Sequence, residues 1–246
     1  MPTSTAVRPE GQAALKTAIT AISTALVCVA TMAFTIYVPA TRGYFNLGET
    51  MVYTTAILFG PYVGAIAGGL GSALADLLLG YPFYAPATLV IKACEGFLVG
   101  WLTRRGLKTE PGLRKALTLA TAFLSGSLLG SIGASYYSGF TTLTIGPLEV
   151  EGFVPVSLWV CLGVALAVFI TALGLGLEPE AGWLVLSMLL GGSVMVLGYF
   201  LYEFAWFGWA ALAEVPVNIG QVSVGITVAM PLTRAVERRV PGLRQS

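Results

Sequence analysis

Most of this chain is laid out as apolar stretches about 20 residues long, and a polypeptide of that kind has few ways to fold. Stretches at about 14–38, 84–103, 114–136, 154–177, 182–207 and 214–235 each match a ~30 Å hydrocarbon layer when wound at about 1.5 Å per residue. No water reaches backbone N–H and C=O groups at that depth, so segments that cross it must satisfy themselves as helices. Composition agrees: 56% of the 246 residues are hydrophobic and 10% are charged, too little polar surface to wrap a water-soluble globule. The expected fold is an all-α polytopic membrane helix bundle. It forms one transmembrane domain over 1–246, because no linker or charge block divides the chain. The first apolar run is longer than the core of a signal peptide and reads as a retained span.

The stretch from Glu49 to Gly80 is too long for one span and short for two, and Gly60-Pro61 sits inside it. The basic residues decide how it is divided. Arg104, Arg105, Lys108, Arg114 and Lys115 share one loop, Arg234, Arg238, Arg239 and Arg244 form the tail, and Arg8 and Lys16 lie at the start of the first span. The positive-inside rule puts all three groups in the cytoplasm, which requires an even number of crossings between them. Splitting 49–60 from 61–80 provides that number. The expectation is eight membrane helices, both termini cytoplasmic, in the cell membrane. The second helix then extends only about 17 Å, so the segment 41–48 must dip into the outer half of the layer and roof or wall a cavity there.

Charges inside spans are expensive, at roughly 2.5–3.5 kcal/mol near the midplane, and mark function by default. Six occur here: Glu49, Asp76, Lys92, Glu95, Glu203 and Glu214. On this topology all six lie at the midplane or in the outer half. Lys92 and Glu95 share a helix face, as do Glu214, Asn218 and Gln221 at i, i+4 and i+7. Tyr53, Tyr84 and Tyr202, with Tyr199, Trp206 and Trp209 near them, add aromatic surface. Aromatic walls with a few convergent polar groups suit a small planar ligand. The competing explanations are an interfacial aromatic belt, a structural Lys92–Glu95 ion pair, and a helix-dipole role for Glu214. Small residues along 64–73 suit close helix packing. Ala14, Ala18, Ala21 and Ala25 form a second small stripe that either packs internally or docks a partner in the membrane.

Other function classes lack their residues. There is no His, and Cys28, Cys94 and Cys161 lie far apart in apolar runs, so neither a metal site nor a cofactor is expected. Nucleic-acid binding has no support in a chain of net charge +1. No G-x-S-x-G elbow and no Walker A motif occur, so the chain is not expected to be an enzyme, and ATP hydrolysis would fall to another subunit. A proton-coupled secondary transporter using the intramembrane carboxylates is the alternative reading.

The run from Gly48-Glu49 to Gly60-Pro61, then Gly64 to Asp76, Gly80-Tyr81 and Lys92-Ala93-Cys94-Glu95-Gly96 with Gly100, resembles the substrate-binding S components of energy-coupling-factor (ECF) vitamin transporters, riboflavin-type. Gly198 to Glu203 and Glu214 to Gln221 add to the likeness, which covers about 10–105 and 182–240. The resemblance implies a six-helix protein that captures a vitamin or vitamin precursor from outside and works with a transmembrane coupling subunit and two cytoplasmic ATPases. It also implies that Ala14, Ala18, Ala21 and Ala25 meet the coupling subunit and that the first outer loop covers the ligand. Residues 113–178 would be a two-helix insertion, which raises six helices to eight. Five acids against one Lys favour a neutral or cationic ligand, riboflavin-like or thiamine/pyrimidine-like.

Overall fold

The architecture is described from a computed structural model covering residues 9–105, 110–145 and 148–240. Arg8, Lys108 and Arg244, three of the basic residues used to orient the chain, lie outside the described residues. Among the described residues there are eight α-helices: α1 (Pro9–Ala33), α2 (Glu49–Phe59), α3 (Pro61–Leu79), α4 (Ala85–Arg105), α5 (Pro111–Tyr136), α6 (Val156–Gly176), α7 (Pro179–Phe207) and α8 (Glu214–Arg239). A 3-10 turn, Gly208–Ala213, joins the last two. Six helical stretches have the length and hydropathy of a membrane span, the sixth, Pro179–Arg239, running through both α7 and α8. The chain is a multi-pass, all-α membrane protein. The 11-residue α2 is about 16 Å long and does not cross the layer by itself.

That short helix is the centre of the bundle. Nine of its 11 residues are buried, and α1, α3, α4 and α8 surround it. It ends at Gly60, whose φ of 86° lies in the left-handed region that side chains disfavour, and Pro61 opens α3 with a ring that needs no N–H donor. The chain therefore turns at Gly60-Pro61 and returns as α3, as the sequence suggests. Around α2 the helices approach through small residues. A methyl group placed on Gly96 would fall 2.3 Å from the carbonyl oxygen of Gly64, and one on Gly64 would fall 2.7 Å from that of Gly96, so α3 and α4 meet backbone to backbone. The small residues of 64–73 thus pack internally. Ser23, Val27 and Thr31 form the buried stripe of α1, with Gly71 of α3 against Thr24 and Val27. Ala14, Ala18, Ala21 and Ala25 occupy its exposed face.

The first helix ends at Ala33, five residues short of the span expected from hydropathy. Thr35–Val38 instead forms a strand, β1, that pairs antiparallel with β2 (Gly43–Asn46), Thr35 opposite Asn46 and Val38 opposite Gly43. Arg42, at φ 58°, makes the tight bend. The non-helical segment expected over 41–48 is thus part of a hairpin, with Gly43 and Tyr44 buried. A second hairpin, β3 (Gly139–Ile145) with β4 (Leu148–Val154), joins α5 to α6. These two helices pack chiefly on each other, through Gly126 and Gly163, and more lightly on α7 and α8.

The α3–α4 crossing leaves no room for a side chain. Gly96→Leu is expected to lower stability by about 3 kcal/mol or more, read as an earlier unfolding midpoint in detergent micelles. Gly112→Leu, where nothing lies within 4 Å, should leave the midpoint unchanged.

Candidate ligand-binding site

The ionisable residues of α2, α3, α4, α7 and α8 converge beneath the first hairpin. Lys92, one turn after Thr88 on α4, is 3% exposed and forms ion pairs with two carboxylates. One is Glu49, at the first position of α2; the other is Glu95 on its own helix, with Nζ 3.1 Å from Oε2. Tyr53, one turn on from Glu49, donates its hydroxyl to the second oxygen of Glu95 at 2.9 Å. The cation also lies 5.8 Å from the ring centre of Tyr199. Glu49, Glu95 and Tyr53 are fully or almost fully buried, so a lone charge among them would carry a desolvation cost of several kcal/mol. Their mutual pairing is what makes the arrangement tolerable in the bundle.

Above this triad lies a small polar chamber. The hairpin contributes Gly43, Tyr44 and Asn46; α1 contributes Thr31; α3 gives Ser72 and Asp76; Thr88 and Lys92 come from α4. Tyr84, Tyr199, Glu203, Glu214, Asn218 and Gln221 close the rest. Side chains of the bundle hold the hairpin down. Tyr44 donates to Asp76 Oδ1 at 2.5 Å, Thr41 donates to Glu214, and the Asn46 N–H donates to Gln221 Oε1 at 2.6 Å. Burial and the adjoining Asp76 push the Tyr44 phenol upward, so it remains a neutral donor. The Tyr84 hydroxyl lies 2.7 Å from the Thr41 carbonyl and 3.2 Å from Glu203 Oε1. Gln221 in turn donates to Asn218 Oδ1 at 2.8 Å. Three buried polar atoms of the chamber wall, Asp76 Oδ2, Glu203 Oε2 and Asn218 Nδ2, have no hydrogen-bond partner among the described residues.

The chamber is about 30 Å³, room for one or two waters and far below the roughly 300–1,000 Å³ typical of sites that enclose a small organic molecule. Beside it, on the outer side of Tyr84, lies a wider hollow of about 480 Å³. Tyr37, Arg42, Tyr81, Phe83, Trp206 and Phe207 line it, together with Tyr84, which the two spaces share.

The structure brings ten of the eleven candidate side chains together: Asp76, Tyr84, Lys92, Glu203, Glu214, Asn218 and Gln221 at the chamber wall, and Glu49, Tyr53 and Glu95 in the layer beneath Lys92. Tyr202 stands apart. Its hydroxyl donates to the Phe83 carbonyl at 2.6 Å and its ring packs on Phe83 and Trp206, outside the chamber. Trp206 and Trp209 are 64% and 69% exposed, as an aromatic belt would be. Three wall residues were not picked out from sequence, Thr31, Ser72 and Thr88, and Gly43, Tyr44 and Asn46 entered only through the segment 41–48. Ser72 and Thr88 each precede a charged residue, Asp76 and Lys92, by one helical turn, and that i, i+4 spacing was the available signal. Among the described residues no cluster of His, Cys, Asp and Glu has the arrangement to hold a metal ion.

Comparison with known proteins decides the family. The family described as "ECF-type riboflavin transporter, S component" matches residues 12–178, well over half of the chain. The chain belongs to this family. The match includes residues 113–178, the stretch that the resemblance had set apart as an insertion. Two relatives align over shorter regions. An uncharacterized protein in a gap 3' region of Pyrococcus woesei is 54% identical over 78 residues, 32% of this chain and 52% of that protein. The thiamine precursor transporter HmpT of Lactococcus lactis subsp. cremoris (strain MG1363) is 38% identical over 90 residues, 36% of this chain and 54% of that protein. The chain thus spans about half the length of the curated relatives it matches. An ECF S component is a substrate-binding subunit of a transporter and not a catalytic enzyme. The proton-coupled secondary transporter, open on the carboxylates alone, is not favoured.

The triad makes a quantitative expectation possible. Lys92→Met leaves Glu49 and Glu95 buried without their cation and should lower stability by about 3–5 kcal/mol, measured by unfolding in detergent micelles. Replacing all three charges together, E49Q/K92M/E95Q, should recover most of that loss. A single variant as stable as the parent would show that Lys92 does not compensate the two acids.

Proposed function

We propose that this chain is the membrane-embedded S subunit of an ECF-type importer and that the polar chamber beneath the first hairpin receives a vitamin or vitamin precursor from outside. The observation that carries this reading is the meeting of buried polar groups from five helices and a hairpin at one end of the bundle, with Asp76 Oδ2, Glu203 Oε2 and Asn218 Nδ2 still unpartnered. Buried polar atoms without partners are uncommon in folded proteins, and several of them meeting at one cavity point to a ligand. The basic loop around Arg104 and Arg114 and the basic end of α8 lie at the other end of their helices, so the positive-inside rule turns the chamber outward and puts both termini in the cytoplasm.

The chamber is far smaller than a vitamin precursor. A ligand must therefore lift the β1–β2 hairpin or swing Tyr84, merging the chamber with the aromatic hollow beyond it. The hairpin suits that role, since side-chain hydrogen bonds to Asp76, Glu214 and Gln221 tie it down and a ligand can exchange them for its own. The aromatic walls would stack on a planar ring, and the amides and carboxylates would read its edge. Lys92 is already paired with two acids, and Asp76, Glu203 and Glu214 add three more acids to the chamber wall, against Arg42 alone in the adjoining hollow. That balance favours a neutral or cationic ligand, a riboflavin-like or thiamine/pyrimidine-like compound, over an anion.

In this proposal the coupling subunit and two cytoplasmic ATPases supply the work, and the exposed stripe of Ala14, Ala18, Ala21 and Ala25 meets the coupling subunit. The helices α5 and α6 are an addition to a six-helix core, in keeping with their packing chiefly on each other.

Mass spectrometry of the ligand released from gently purified protein tests the substrate class. A neutral or cationic heterocycle is expected, and an anionic metabolite would contradict the charge argument. With that ligand in hand, titration calorimetry on Asn218→Ala should show affinity reduced about tenfold or more, as when a buried polar contact is lost, while Ser125→Ala binds like the parent. Unchanged affinity in Asn218→Ala would remove the chamber from the site.

A further inference from the structure

At the end of the bundle away from the chamber, α6 and α8 hardly touch, and the space between them is a groove of about 440 Å³. Phe169 and Leu173, one turn apart on α6, and Leu177 just past its end form one wall. Ile226 and Met230 of α8 form the other, and Val185 of α7 lies at the back. The same α8 face continues, one and two turns past Met230, to Arg234 and Arg238 at the mouth. Both arginines are exposed, and among the described residues no carboxylate lines the groove, Glu237 lying between them on α8 but outside its lining. Like charges one turn apart repel each other, so two arginines on this face favour an anion that bridges them.

We infer that this groove binds an anionic phospholipid, with an acyl chain in the slot between α6 and α8 and the phosphate on Arg234 and Arg238. The two halves of the site require the two halves of such a molecule. The apolar walls lie along helices that cross the bilayer, where hydrocarbon chains are the solvent. The guanidinium groups are twenty residues or more along α8 from Glu214, about 30 Å of helix, which is the thickness of the hydrocarbon layer and therefore the headgroup level. Arginine matches phosphate oxygens with paired hydrogen bonds, and basic pockets between membrane helices select anionic headgroups. A soluble phosphate would leave the slot unused, and an acidic protein segment is the competing occupant. The inference is independent of which solute the chamber binds.

Native mass spectrometry of the chain released from nanodiscs that contain phosphatidylglycerol and phosphatidylcholine in equal amounts gives the test. One tightly retained phosphatidylglycerol per chain is expected, and Arg234→Gln with Arg238→Gln should weaken its retention about 30-fold, the loss of two near-surface cation contacts. Met230→Trp, which fills the slot and keeps both arginines, should displace the same lipid. Equal retention of the two lipids, or phosphatidylglycerol undiminished in either variant, would overturn the inference. Loss of a partner subunit in the double arginine variant with phosphatidylglycerol still held would assign the mouth to a protein and overturn it as well.

Discussion

A lysine buried with two glutamates at the centre of a membrane bundle sets the terms for everything around it. Lys92 is 3% exposed, Glu49 1% and Glu95 0%, and none of them is tolerable there alone. The ion pairs bind α2 to α4, and the Tyr53 hydroxyl ties α2 to Glu95 a second time. A helix of 11 residues, too short to cross the layer, is thereby fixed in the middle of helices that do. Its shortness leaves depth unfilled above Glu49. The β1–β2 hairpin fills it, and the chamber is the space between them. The glycine contacts of α3 and α4 serve the same end, since only backbone-to-backbone packing brings Asp76 and Lys92 to one wall.

Much of this was legible in the sequence because the hydrocarbon layer imposes a length. The boundaries at Gly60-Pro61, Leu79, Tyr136 and Glu214 fall within a residue or two of those read from apolar runs, Gly and Pro. The end of α1 did not, because Thr35-Ile36-Tyr37-Val38 is as apolar as the helix before it, and its strand pairing depends on partners at 43–46 that hydropathy does not reveal. The charged members of the candidate site were legible because charge inside a span is rare. Its hydroxyls were not: Thr31, Ser72 and Thr88 are ordinary residues in a helix, where most hydroxyls bond the carbonyl one turn back, and only the convergence of α1, α3 and α4 gives them a role. Tyr202 shows the converse. It sits three residues from Tyr199, and packing turns one ring into the chamber wall and the other toward Phe83 and the belt.

Family membership and geometry bear on different questions. The S-component match extends over 12–178 and establishes what kind of subunit this is. Five of the fourteen residues of the chamber wall, Tyr199, Glu203, Glu214, Asn218 and Gln221, lie beyond that range, on α7 and α8. For that part of the wall, this chain's own residues are the guide.

The central claim is that the converging polar groups open to the exterior, away from the basic loops. Cysteine labelling in intact cells tests it most directly. In a chain whose Cys28, Cys94 and Cys161 are replaced by Ala, Pro82→Cys beside the chamber and Gly112→Cys in the first turn of α5, at the basic end of the bundle, would be exposed separately to a membrane-impermeant maleimide. The expected result is that position 82 reacts in intact cells and position 112 reacts only after permeabilisation. The reverse pattern would turn the chamber toward the cytoplasm and contradict its role in capturing a solute from outside.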